Sequence, residues 1–171
     1  MSTDVRVIVI SGSMGSGKTT ILAEASDLLG VAGVVHAGID MDFLSFGHLP
    51  AAASHDLMIR NLAALWNNYA AAGITRLLLC EALDTADKRG RLREVVPGAE
   101  IVVCRLRARL ETMQQRVRVR EPGMLQEHFV ARVADLEASL DAGGVEDFSV
   151  ENDGRSVTAV AREVLRRAGW L

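Results

Sequence analysis

Eight consecutive residues, Gly12-Ser13-Met14-Gly15-Ser16-Gly17-Lys18-Thr19, constrain this chain more than any other feature, because they fit G-x-x-x-x-G-K-[ST] at every fixed position. Their surroundings give the pattern meaning. An apolar run at residues 5–10 precedes them and reads as a buried strand, and the amphipathic stretch 19–29 that follows reads as a helix. A glycine-rich turn between strand and helix lets successive backbone N–H groups converge on phosphate oxygens at the positive end of the helix. Lys18 is then placed to bridge β- and γ-phosphates and Thr19 to ligate Mg²⁺, with Thr20 completing the phosphate-binding set.

Short β-branched runs alternate with 3.6-residue periodicity along the rest of the chain, which predicts one α/β domain built on a parallel sheet. Strands are expected at residues 34–39, 74–81, 100–106 and 148–151, short and apolar as strands buried on both faces are. Ile21, Leu22, Ala25, Leu28 and Leu29 mark the first helix, and Leu57, Met58, Leu62, Leu65, Trp66 and Tyr69 the second. The aromatics of that second helix read as core. Leu92, Val95 and Val96 end a third helix at Pro97-Gly98; Leu110, Met113 and Val117 mark a fourth, and Phe129, Val133, Leu136 and Leu140 a fifth. A last helix starts near Ser156 and presents Val157, Val160, Ala161, Val164, Leu165 and Ala168 on one face, with Gly169 placed to cap it.

Composition narrows the class. A chain of 171 residues that is 49% hydrophobic is long enough and apolar enough to carry a core as a single domain, which excludes disorder. Nineteen Lys plus Arg against 22 Asp plus Glu leave a net charge of −3, without the basic excess of a general nucleic-acid binder. Cys80 and Cys104 sit in apolar runs without a metal or redox spacing and read as buried, reduced thiols, so the cytoplasm is the expected compartment. The first strand begins almost at once, so no leader is expected, and no apolar run approaches the ~18 residues of a membrane span.

Three further groups bear on chemistry. Glu81 ends the run Leu77-Leu78-Leu79-Cys80 and is a candidate to hold Mg²⁺ directly or through water, with Asp84 as a weaker competitor. Gly38-Ile39-Asp40-Met41-Asp42 carries two carboxylates out of the second strand, at the end of the sheet where open α/β folds bind ligands. One of them can accept the proton of an attacking hydroxyl while the other orients it or meets Mg²⁺ through water; Asp40 is favoured as the base. His36 reads as a strand histidine. Arg105, Arg107, Arg109, Arg116, Arg118 and Arg120 concentrate positive charge before Glu121-Pro122-Gly123, and they read as a hinged lid over residues 109–125. Arg116 and Arg120, four apart, share a helix face, and Arg132 is a further candidate.

Together, the glycine-rich loop, the Asp-x-Asp after the second strand, the arginine segment after the fourth and Asn152-Asp153-Gly154-Arg155 after the last resemble the nucleoside-monophosphate-kinase-like branch of P-loop kinases. Shikimate kinase, gluconate kinase and chloramphenicol phosphotransferase belong to that branch. The resemblance implies a five-stranded parallel sheet in order 2-3-1-4-5 with a small lid, Asp40 as substrate-side base, Arg116 and Arg120 as lid arginines, and Asn152, Asp153 and Arg155 beside adenine.

The expected activity is that of a small-molecule kinase using ATP and Mg²⁺: Lys18, Arg116 and Arg120 handle the phosphates, Asp40 and Asp42 face the acceptor hydroxyl, and residues 43–53, with Phe46, His48 and Pro50, line its pocket. A nucleotide-dependent switch acting through a protein partner is the alternative. Against it stand the lack of an Asn-Lys-x-Asp guanine-reading motif, a length too short for an AAA⁺ module, and the missing Asp beside Glu81.

Overall fold

The computed structural model describes residues 4–171, apart from the side chains of Ala51 and Ala52. Met1, Ser2 and Thr3, on which the expectation of no leader rests, lie outside the described residues. Strands β1 (Arg6–Ser11), β2 (Ala37–Asp40), β3 (Arg76–Cys80), β4 (Glu100–Arg107) and β5 (Phe148–Glu151) pair in parallel in the order β2-β3-β1-β4-β5, as expected. Val7 to Ile10 of central β1 are at most 1% exposed, which is why that run carries no polar residue. Register matters most for function: Asp40 lies opposite Cys80, Cys80 opposite Ile10, Ile10 opposite Cys104 and Cys104 opposite Phe148. The chain therefore leaves β1, β2 and β3 at one edge of the sheet.

Helices α1 (Lys18–Val31), α2 (Ala51–Ala71), α3 (Ala86–Val95), α4 (Leu110–Arg120), α5 (Gln126–Gly143) and α6 (Val157–Arg167) connect the strands. Alternation along β1 sends Ile8 and Ile10 to one face and Val7 and Val9 to the other. Ile21, Ala25 and Leu29 of α1 and Val160, Val164 and Leu165 of α6 cover the first face; Met58, Leu62 and Trp66 of α2 and Leu92 of α3 cover the second. Met113 and Val117 of α4 meet Val130 and Val133 of α5 in a small separate cluster. Ser156 caps α6 by accepting the Ala159 N–H at 3.2 Å. Both cysteines are free and buried, and among the described residues no helix is long and apolar enough to cross a membrane.

Several boundaries differ from the sequence reading. Val34 and Val35 precede β2, because the Val34 N–H closes the end of α1 on the Leu29 carbonyl at 2.9 Å and pairing with β3 starts only at Ala37. Ile74 likewise closes α2 on the Tyr69 carbonyl at 3.0 Å. The expected pocket segment 43–53 is partly regular: a 3₁₀ turn spans Met41–Ser45, started by the Asp40 carboxylate accepting the Asp42 N–H at 3.1 Å, and α2 begins right after Pro50. Leu110 and Val157, placed on apolar faces by periodicity, are each 38% exposed, since both sit in the first turn of their helix, beyond the reach of the core.

Candidate active site

Between β1 and α1 the backbone wraps into a cradle that only glycine permits at three positions, Gly12, Gly15 and Gly17. Gly15 and Gly17 have φ of 76° and 97°, where a side chain is strained, and a Cβ would run into the Met113 carbonyl at Gly15 and the Asn152 amide at Gly17. Neighbouring elements brace this loop. Ser13 Oγ donates to the Val133 carbonyl (2.9 Å), Asn152 Nδ2 to the Ser16 carbonyl (2.7 Å) and Arg116 Nη1 to the Gly15 carbonyl (3.2 Å). Lys18 Nζ donates to the carbonyls of Gly12 (2.9 Å) and Ser13 (3.0 Å), so one of its three donors stays free. Burial lowers the Lys18 pKa, with the Asp42 carboxylate opposing the shift. Ser16 Oγ is buried without a protein partner. A desolvated ammonium with a free donor and an unpartnered hydroxyl on a glycine-rich turn at the N-terminus of α1 fit the phosphates of a nucleotide.

The acidic residues sort by position. Thr19 Oγ1 donates to Asp40 Oδ2 at 2.7 Å, which keeps the hydroxyl lone pairs available to a cation. Among the described residues no three His, Cys, Asp or Glu side chains converge as a metal centre; the Thr19 hydroxyl with Asp40 beside it would suit a divalent cation whose remaining ligands come from phosphate oxygens and water. Asp42 borders the same cavity as Thr19 and Asp40. Glu81, just past β3, is 6% exposed and lies outside the cavity lining; burial pushes its pKa up to about 7, opposed by Lys88 and reinforced by Asp42 and Asp84. Asp84 is engaged by Lys88 at 2.6 Å. His36 bonds Ser26 Oγ (2.7 Å) and the Val34 carbonyl (2.9 Å), away from the cavity lining.

The six arginines separate into two groups. Arg105, wholly buried on β4, binds Glu137, Asp141 and Glu146, and Arg107 shares the last two. Neither belongs to a lid. Arg109 contacts Asp153 through both its backbone N–H (2.7 Å) and Nε (3.2 Å), holding the Asp153 carboxyl below the usual range. Arg116 and Arg120 border the cavity, whereas Arg118 and Arg132 do not. Arg116 also donates to the Asn152 carbonyl at 2.9 Å, and Arg120 pairs with Glu121 at 2.8 Å. Arg155 is committed to Glu163 (2.7 Å) and the Glu151 carbonyl (3.1 Å), outside the lining.

The cavity enclosed by these groups measures about 600 Å³. Phe43 and Phe46 form one wall, with ring centroids 6.2 Å apart and 37° between planes. His48 and Pro50 lie outside it. The sequence reading placed Phe43 within the pocket segment and Asn152 beside adenine; it gave Glu121 only as part of a hinge, whereas Glu121 borders the cavity, and it gave no sign that Asn152 is a strut under the loop. The i,i+3 spacing of Phe43 and Phe46 was the available signal for their shared wall, since a 3₁₀ turn brings such positions onto one side.

Solved structures share this arrangement of elements. The Deinococcus radiodurans tunicamycin resistance protein superposes with a TM-score of 0.68 at 19% identity, covering 98% of this chain and 97% of that one. A sugar kinase from Janibacter sp. HTCC2649 gives 0.65 at 22% identity over 95% and 93% of the two chains, and shikimate kinase from Acinetobacter baumannii gives 0.62 at 20% over 96% and 93%. No protein-family model and no curated protein matches the chain in sequence. The likeness is therefore one of fold: the chain has the fold of the P-loop kinases of this branch.

Proposed function

We propose that this protein is an ATP-dependent phosphotransferase that moves the γ-phosphoryl group of Mg·ATP onto a hydroxyl of a small molecule. One observation carries the reading. A single cavity is bordered by Lys18 and Thr19 of the glycine-rich loop, by Asp40 and Asp42, and by the guanidinium groups of Arg116 and Arg120. Bound Mg·ATP supplies the electrophilic phosphorus and neutralises part of the charge on its oxygens. The loop N–H groups and Lys18 orient the phosphates, and Thr19 holds the cation side. Because Thr19 donates to Asp40, Asp40 belongs with the cation and Asp42 is left to accept the proton of the acceptor hydroxyl, the reverse of the preference drawn from sequence alone. Arg116 and Arg120 face the charge that spreads over the transferring group. Glu81 has the weaker claim on the cation, being outside the cavity lining.

The test is ADP release from Mg·ATP with pooled hydroxylated metabolites, nucleosides and antibiotics, beside Lys18→Ala. Stimulation by one pool, lost in Lys18→Ala, is expected. With that acceptor, Asp42→Asn should lower kcat by about 10²- to 10⁴-fold with nucleotide still bound, and Asp40→Asn should raise the Mg²⁺ concentration needed. A larger kcat loss in Asp40→Asn at saturating Mg²⁺ would exchange the two roles. Tight nucleotide binding with no pool stimulating release would replace the kinase reading with that of a switch.

A further inference from the structure

We infer that the acceptor is an uncharged hydroxyl compound carrying a flat apolar or aromatic ring, which sits on Phe43 and Phe46. The inference rests on the kinase reading of the same cavity and adds the chemical class of its second substrate. Phe43 and Phe46 are 70% and 84% exposed, and both border the cavity. Large aromatic side chains left in water at the mouth of a pocket, tilted toward each other at 6.2 Å, offer a stacking surface that no part of the described chain covers. Their place in the chain is as telling. Phe43 directly follows Asp42, so a hydroxyl delivered to that carboxylate brings the body of its molecule against the rings.

Charge argues for a neutral molecule. Three cations border the cavity, and each has a task in the protein: Lys18 holds the loop carbonyls of Gly12 and Ser13, Arg116 the carbonyls of Gly15 and Asn152, and Arg120 the Glu121 carboxylate. Bound phosphates would compete for all three. A carboxylate on the acceptor would then lie among Asp40, Asp42 and Glu121 with no cation of its own, a costly arrangement in a partly desolvated site. The shikimate kinase among the solved structures of this fold is named for a hydroxy acid, so this chain would differ from it in acceptor class.

The experiment compares neutral ring-bearing alcohols (nucleosides, aryl glycosides, benzylic alcohols) with hydroxy acids of similar size (gluconate, shikimate). ADP release reports turnover, and saturation-transfer NMR on protein loaded with a non-hydrolysable Mg·ATP analogue reports binding. Turnover confined to the neutral set is expected, with KM raised about tenfold in Phe43→Ala/Phe46→Ala, kcat little changed, and KM restored in Phe43→Tyr/Phe46→Tyr. Turnover of hydroxy acids in preference overturns the inference and leaves the kinase reading standing. So does turnover of ring compounds that is indifferent to both phenylalanines. Ring compounds that bind through Phe43 and Phe46 without ADP release overturn the kinase reading and leave the aromatic seat in place. Binding by neither set overturns the inference outright.

Discussion

Glu81 is a carboxyl that the fold takes out of water near Lys88, Asp42, Asp84 and Lys18, and its protonation is the residue-scale quantity most open to measurement. Burial raises its pKa from 4.5 to about 7. Between those values the folded chain keeps a proton that the unfolded chain gives up, so the stability this group contributes is complete below the lower value and is lost as pH rises through the upper one. The loss is on the order of 3 kcal/mol. His55, whose pKa burial lowers, acts in the opposite sense as pH rises through its ordinary range, so the readout must be a difference between variants. Urea denaturation at intervals from about pH 5 to about pH 8 should show Glu81→Gln gaining on the parent protein as pH rises. Parallel curves would mean that Glu81 is already ionised in the folded protein. No pattern in the sequence separates a buried strand-end glutamate from a solvated one, because the difference lies in what α3 and the glycine-rich loop bring against it.

At the scale of elements, the arginine run shows what a sequence withholds. Arg105 and Arg107 alternate along β4 and follow Ile101 and Val103 onto one face, whereas Arg116 and Arg120 are a helical turn apart on α4. Periodicity gives those two spacings correctly. It does not say that α5 and the turn after it bring Glu137, Asp141 and Glu146 onto Arg105, a contact of more than 30 residues in sequence. That cluster clamps α5 to β4, so Arg105→Ala, which removes a wholly buried guanidinium from beside the part-exposed Glu137 and Glu146, should cost about 1–3 kcal/mol. Arg118→Ala, on the exposed side of α4, should stay within about 0.5 kcal/mol. Equal effects in urea titrations would show that the clamp contributes nothing. Helix starts were legible where a hydroxyl caps them, as at Ser156, and strand ends were not, because Val34 and Val35 suit a strand chemically and are excluded from it by the end of α1.

For the molecule as a whole, the order of strands and the loop that joins β1 to α1 were legible because both follow from local pattern; the closing of three elements around that loop was not. Val133 of α5, Arg116 and Met113 of α4, and Asn152 after β5 all touch it. A ligand held there should stabilise the entire chain. At a nucleotide concentration of about 100 times Kd the gain is about 2.7 kcal/mol, a rise in Tm of roughly 5–11 °C for a domain of this size, most of it lost in Lys18→Ala. A rise of the same size in Lys18→Ala would put the nucleotide elsewhere. Gly15 lies against the Met113 carbonyl and is held by Arg116, so the phosphate cradle and the arginine-bearing helix have a wall in common. On the kinase reading, any outward movement of α4 would therefore loosen the grip on the spent nucleotide in the same stroke, coupling opening of the site to discharge of the product.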